Sequence, residues 1–448
     1  MVRRQELNRL STMTKESHPM RTTTRTRSTG LGLLATAAAA ALVLTGCSSG
    51  SGAASAGSGK IDGTITLQTW ALTPTYTDYL DGVIKGFEQE HPDAKVKLQD
   101  QPGDGYADKV LSQASSNTLP DVINLPPDIA LPLAKRGFLQ DVSKDDPKLA
   151  STYVFGALDS YEYKGLDGTY GYPWYLNTDV DYWNKSMFDK CGLDADNPPK
   201  TTDDLFTQAK TMHDKCPDDY LMSRKPGLGD FTLAGVKVLN SDGTKFTFAD
   251  SSKAADLIGR YKEAYQDGYM PSNVLNSDYL GNSTLFTQQK VAWTTGGATA
   301  LSDMVKNNPS LKGNVTVSPA LDTPPLYVQG LSVSSKSKHL ATAEAFAQYM
   351  TNAKNQEAFA HLVNIFPSTT SSQSDPYFSK DDGTVNGKAR VLANEALKQA
   401  KVLNPVEANS AMTDFLDQQI ALAMKGQVSP EQALQTAQTK MNSLLANG

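Results

Sequence analysis

The chain has little of what enzymes most often use for chemistry. Its five histidines (His18, His91, His213, His339 and His361) are scattered. It has no Gly-x-Ser-x-Gly elbow, no His-Glu-x-x-His pair and no phosphate-cradling glycine loop, so the common serine-hydrolase, zinc-protease and nucleotide-dependent classes drop out. An exported glycoside hydrolase stays as an alternative, because it needs only two carboxylates about 5 to 10 Å apart and Asp and Glu are plentiful. Cysteine is rare, with three in 448 residues. His213 near Cys191 and Cys216 does not complete a ligand set, so no metal and no cofactor is expected. The net charge of −6 argues against nucleic acid as a partner. Only one long apolar run occurs, Leu31 to Leu44.

That run follows the basic residues Arg21, Arg25 and Arg27 and fits the apolar core of an export signal. It is short for a membrane span. Glu6 and Glu16 precede the basic stretch, so Met20 makes a cleaner start than Met1. Leu44-Thr45-Gly46-Cys47 resembles the lipobox of bacterial lipoproteins, in which the signal is cut before the cysteine and the cysteine is acylated. The other reading is a plain signal peptide with a chance cysteine. Ser48 to Gly59 is a Gly/Ser/Ala tether that suits a lipid anchor. Residues 1–46 are thus expected to be a signal peptide and 47–59 the anchor and tether. The localisation that follows is the extracellular face of the cell membrane.

Cleavage before Cys47 would leave 402 residues, too many for one compact core, and two lobes are expected. The removed segment carries seven Lys/Arg and two Glu, so the charge of the remainder is near −11. Outside the cytoplasm Cys191 and Cys216 can oxidise to a disulfide, closing a loop of about 25 residues worth roughly 3 kcal/mol. Two separate buried thiols are the alternative.

Periodicity gives the first lobe. Ile61–Trp70 alternates as a strand, Asp78–Glu90 has helical spacing, and Ala94–Gln99 is a second strand. A helix over Tyr106–Ser115, a strand over Pro120–Leu125 and a helix over Ile129–Lys135 follow. This order predicts an α/β lobe with a parallel sheet, whose ligands sit beyond the carboxyl ends of the strands. Further on, hairpins are expected at Tyr161–Tyr172 and Val236–Phe248. Strands are expected through Asp181–Trp183, at Lys290–Gly297 and at Val315–Pro319. Ser429-Pro430-Glu431-Gln432 reads as a helix start, with Ser as N-cap and Gln three residues later.

Taken together, ITLQTW, GFEQEHPDAKVKLQ, LPDVINLPPDIALPLAKRGFLQDVS, DGTYGYPWYLNTDVDYWNKSMFDKCGL, QKVAWTTGG and FPSTT resemble, in this order, the family 1 extracellular solute-binding proteins of ABC importers. That group includes the maltose-binding proteins, and the likeness covers nearly all of residues 61–446. It implies a two-lobed periplasmic-binding-protein-like α/β fold with hinge strands and a sugar in the cleft. Lobe one would hold 60–177 and 329–371, and lobe two 178–328 and 372–448. It also implies a monomer that hands its ligand to membrane permease subunits.

Sugars present flat C–H faces and a rim of hydroxyls, which call for aromatic faces and Asp, Asn, Gln or Arg partners. Trp70 ends the first strand, as a stacking wall or a core residue. Asp128 matches a sugar-binding aspartate of the maltose-binding proteins, or serves as an N-cap. Asp121 is expected to brace its strand. Trp174 or Tyr175 should line the cleft, with Asn177 where the family carries a glutamate. Gly296 and Gly297 allow close approach of a ligand or backbone. Just past them, many sugar binders carry a tryptophan, whereas this chain has Ala298 and Thr299. Tyr327, Gln329 and Phe415 are further candidates. Arg136, Arg224, Arg260 and Arg390 are the only arginines after Cys47, and none falls in a segment placed at the cleft. A neutral, hydroxyl-rich ligand is therefore expected, with a non-sugar solute as the alternative.

Overall fold

The computed structural model describes residues 59–276, 281–363 and 365–447. The export segment, Cys47 and the tether as far as residue 58 lie outside the described residues.

Two sheets organise the rest. The first has the order β2-β1-β3-β8-β4-β9, from β1 (Gly63–Trp70), β2 (Ala94–Gln101), β3 (Val122–Leu125), β4 (Tyr172–Asn177), β8 (Tyr327–Val333) and β9 (Phe366–Pro367). The second has the order β6-β5-β7, from β5 (Val180–Asn184), β6 (Trp293–Gly296) and β7 (Val315–Pro319). β1 pairs in parallel with β2 and β3, as the strand-helix alternation requires. The sheet is nevertheless mixed, because β8 runs antiparallel to both β3 and β4. Nothing in the local pattern of residues 327–333 marks its insertion between strands so far back in the chain.

Burial follows sequence pattern closely. In β1, Ile65 and Leu67 are fully buried, and all four residues of β3 are buried, as befits an inner strand. The helix Thr77–Glu90 buries Leu80, Val83 and Phe87 on one face, with Phe87 edge-on to Phe346 at 5.1 Å. Asp121 braces the sheet: its carboxylate accepts from the Thr66 amide at 2.8 Å and from the Ser337 hydroxyl at 2.6 Å. The final helix, Pro430–Asn447, starts with a reciprocal cap, in which the Gln432 amide donates to Ser429 Oγ and the Ser429 amide to Gln432 Oε1.

β5 divides two hydrophobic cores. Val180 and Tyr182 belong to the core that includes the first sheet, and Trp183 to a second core with Trp293, Phe246, Phe248 and Met441. Cys191 and Cys216 are disulfide-bonded beside that second core, with Cα atoms 5.7 Å apart.

One expected hairpin is absent and the other is minimal. Across Tyr161–Tyr172 the chain forms turns, because Asp141 Oδ1 accepts the Thr169 amide at 3.0 Å and the Val142 amide takes the Thr169 carbonyl. The two arms still meet, the Tyr170 amide donating to the Tyr161 carbonyl at 3.0 Å, but no ladder follows. Val236–Phe248 closes through a single bridge between Leu239 and Phe246.

Candidate functional site

β1 and β3 run in parallel, so their carboxyl ends share one edge of the first sheet. There the chain places Trp70 and the turn leading to Asp128. Trp70 is half-buried, edge-on to Tyr106 at 5.0 Å. Tyr106 is fixed in turn by a 2.8 Å hydrogen bond from its hydroxyl to the Asn124 carbonyl. Asp128 is not the N-cap of its helix, Pro127–Lys135. It sits in the first turn after Pro126, which makes no side-chain cap bond. Its carboxyl is exposed, yet the surrounding protein desolvates it enough to raise its pKa above the ordinary value. Two tyrosines build that surrounding. Tyr161 donates to the Leu125 carbonyl at 2.6 Å and Tyr163 to the Pro127 carbonyl at 2.9 Å.

β4 carries Trp174, Tyr175 and Asn177, and the two aromatic neighbours differ in burial. Trp174 is fully buried, its ring stacked on Phe359 at 5.1 Å, so it is a core residue with no face open to a ligand. Tyr175 is half-buried, its ring edge-on to Trp174 at 5.1 Å and to Phe359 at 5.8 Å, beside a register shift between Pro173 and Tyr175. Of the Trp-Tyr pair, Tyr175 alone can line a cleft.

Asn177 ends β4 and meets the second sheet. A Cβ placed on Gly297 would lie 3.0 Å from Asn177 Nδ2, so the amide packs directly over the glycine. The Gly297 carbonyl accepts from the Tyr182 hydroxyl at 2.8 Å. A Cβ on Gly296 would lie 2.7 Å from that of Ala300, so the glycine admits the helix Ala300–Asn307. Thr299 immediately precedes that helix, half-buried. Tyr327 is 47% exposed and donates its hydroxyl to Asp179 at 3.1 Å. The Gln329 amide oxygen accepts from Asn124 at 3.3 Å. Asn177 and Tyr327 are partners in the β4–β8 register. The structure thus brings Asn177, Gly297, Tyr182, Asp179 and Tyr327 into one group where the chain passes between sheets. Phe415 is half-buried on the helix Ser410–Met424, and among the described residues no ring contact or hydrogen bond joins it to this group.

Sequence reasoning missed several neighbours. Tyr76 lies edge-on to Phe359 at 5.3 Å, and its phenol is raised first by burial and then by the carboxylate of Asp303, on the helix Ala300–Asn307. Lys164, on the loop held to the first sheet by Tyr161 and Tyr163, donates to the Ser241 carbonyl at 3.1 Å, on the turn of the Leu239–Phe246 bridge. Arg224 lies among buried groups of the second lobe. Its guanidinium lies 6.0 Å from the centre of the Trp293 ring and forms an ion pair with Asp230. Trp293 is itself buried and donates to Asp181 at 3.0 Å. Burial pushes the Asp181 carboxyl up to about 8. The aromatic spacing around Tyr76 was a signal that could have been read, whereas the fold alone brings Arg224 to Trp293.

Two lobes, each with its own sheet, and polar and aromatic groups gathered where the chain passes between them define a two-lobed solute receptor. The chain belongs to the bacterial extracellular solute-binding protein family, whose pattern it matches over residues 73–357. It is 26% identical over 302 residues to the multiple sugar-binding protein of Streptococcus mutans, covering 62% of this chain and 69% of that one. It is 24% identical over 383 residues to the galactooligosaccharide-binding protein of Bacillus subtilis, covering 81% and 86%. In structure it resembles the GacH receptor of Streptomyces glaucescens, solved unliganded and with acarbose, with TM-score 0.69, 23% identity and coverage of 85% and 98%. An ABC substrate-binding protein of Listeria monocytogenes in complex with cycloalternan gives TM-score 0.69, 22% identity and coverage of 86% and 99%. Among the described residues, no helix is long and apolar enough to cross a membrane.

Proposed function

We propose that this protein is the solute receptor of an ABC importer, that it takes a sugar or oligosaccharide between its lobes, and that it delivers it without turnover to a membrane permease. The reading is supported by the chemistry of the residues it would place at the cleft. Trp70, Tyr175 and Tyr327 offer partly open aromatic rings, and Asp128, Asn177 and Gln329 supply groups that pair with hydroxyls. The names of the sugar-binding relatives support the same class of ligand. In this reading lobe one comprises 60–177 and 329–371, and lobe two 178–328 and 372–448. Gly296, Gly297 and Thr299 form the far wall, which lacks an aromatic platform. Capture is by hinge closure. The receptor is a monomer, held to the extracellular face of the cell membrane by a lipid on Cys47.

One observation favours a second reading. Arg224 near the passage between lobes could serve a carboxylate-bearing solute, although Asp230 already holds its charge. A thermal-shift screen of residues 59–448 against sugars, sugar alcohols, amino acids and polyamines separates the two. A ligand at 100 times its dissociation constant adds about 2.7 kcal/mol of stability. A shift with one class of sugar and no product supports the sugar receptor. A shift only with amino acids overturns the sugar assignment, and consumption of a sugar restores the hydrolase.

A further inference from the structure

Two connections carry the chain between the two sheets, and they are fastened together. Thr178 and Asp179 form the passage from β4 to β5, and Tyr327 opens β8 directly after the passage from β7. The hydrogen bond from the Tyr327 hydroxyl to Asp179 Oδ2, 3.1 Å long, joins these passages side by side. Any change in the angle between the lobes must rotate backbone torsions within them, so this bond lies on the axis of the motion.

Asp179 is half-buried and has neighbours on several elements. Tyr327 meets it from β8, Asp181 and Tyr182 face it from β5, and Arg224 approaches from the loop before the helix Leu228–Leu233. Arg224 and the Tyr327 hydroxyl favour its charged form, and Asp181, when ionised, opposes it. Arg224 compensates only in part, because Asp230 holds it.

Resting on the reading of this protein as a receptor that closes on its solute, we propose that Asp179 and Tyr327 form a hinge clasp, and that closure takes up a proton at Asp179. When the lobes part, water enters between the sheets and reaches the carboxyl, which regains the hydration it loses on closing. With the lobes as they stand here, burial raises this group from an ordinary 3.8 to about 6. The sign follows. The closed form binds the proton more tightly than the open one, so closure gains as pH falls below about 6 and the gain levels off near 3.8. Between pH 7 and pH 5 the affinity for solute should rise about tenfold.

The test is calorimetric titration with raffinose at pH 7 and pH 5, in two buffers of different ionisation enthalpy so that proton uptake is counted. The parent should bind about ten times more tightly at pH 5, taking up nearly one proton at pH 5 but only about a tenth of one at pH 7. Asp179→Asn should bind equally at both pH values with no uptake. Tyr327→Phe keeps the carboxyl and removes a bond that lowers its pKa, so its transition should move to higher pH. A pH-independent parent, or an Asp179→Asn variant that still follows the parent's pH profile, would overturn the clasp. If raffinose gives no heat at either pH, the choice of sugar has failed and the clasp is judged by small-angle scattering of the free protein. A radius of gyration that shrinks from pH 7 to pH 5 in the parent and not in Asp179→Asn supports it. Equal behaviour of the two refutes it.

Discussion

Phe359 is predicted to be the keystone of the aromatic wall behind the cleft. Its side chain is 2% exposed and stacks on Tyr79 with centroids 4.5 Å apart and planes 11° apart, and on Trp174 at 5.1 Å and 12°. Tyr76 and Tyr175 meet it edge-on at 5.3 and 5.8 Å. Phe359→Ala removes a ring on which both Trp174, held in β4, and Tyr79, held in the helix Thr77–Glu90, stack. Such a truncation costs about 3 to 5 kcal/mol in transfer and cavity terms. Phe359→Leu fills most of the space and should lose about half of that, so a folded variant is available for binding work. Urea unfolding followed by tryptophan fluorescence measures the loss. In Phe359→Leu, Tyr175 loses its edge contact, and solute affinity should fall several-fold although residue 359 touches no solute. A loss of stability under about 1 kcal/mol for Phe359→Ala would refute the reasoning, because the rings would then be packing independently.

Two other perturbations follow from buried groups. Replacing Cys191 and Cys216 with serine should lower stability by roughly 3 kcal/mol, read as a lower melting temperature that no longer responds to reductant. Glu344 is buried near Tyr172 and the helix end at Lys144–Asp145, and desolvation followed by Asp145 raises its carboxyl from 4.5 to about 7. The folded state therefore holds this proton more tightly than the unfolded state, and its contribution to stability declines as pH rises from 4.5 to 7. Glu344→Gln should flatten that decline, and melting curves from pH 4.5 to pH 8 that stay parallel for parent and variant would count against it.

Local pattern carried the helices and the early strands. Leu80, Val83 and Phe87 mark one face of a helix whichever fold surrounds it, and the Ser429–Gln432 cap is complete within four residues. Residue roles fixed by distant packing were not legible in the same way. Trp174 and Tyr175 are adjacent aromatic residues of similar exposure on paper. Phe359, far along the chain, stacks face-on over Trp174 and meets Tyr175 only edge-on, and Trp174 becomes core. The lost hairpin at Tyr161–Tyr172 has a similar cause, since Asp141 supplies an acceptor that no turn rule anticipates. Arg224 reaches Trp293 only through the assembly of the second lobe, so its exclusion from the cleft could not be judged from the order of segments.

The position of β8 has a consequence for how the chain reaches this state. β3 and β4 both pair with it, and the Asn124 amide bonds a β8 carbonyl 206 residues away in sequence. Until that strand exists, β3 and β4 each present an open ladder edge, and nothing joins the two halves of the first sheet. A chain shortened before residue 327 would therefore keep its early helices while exposing the open edge of β3 and all of β4, the state most prone to pair with another chain. The last-made inner strand acts as a completion check, because the first sheet cannot close until the second sheet has been made.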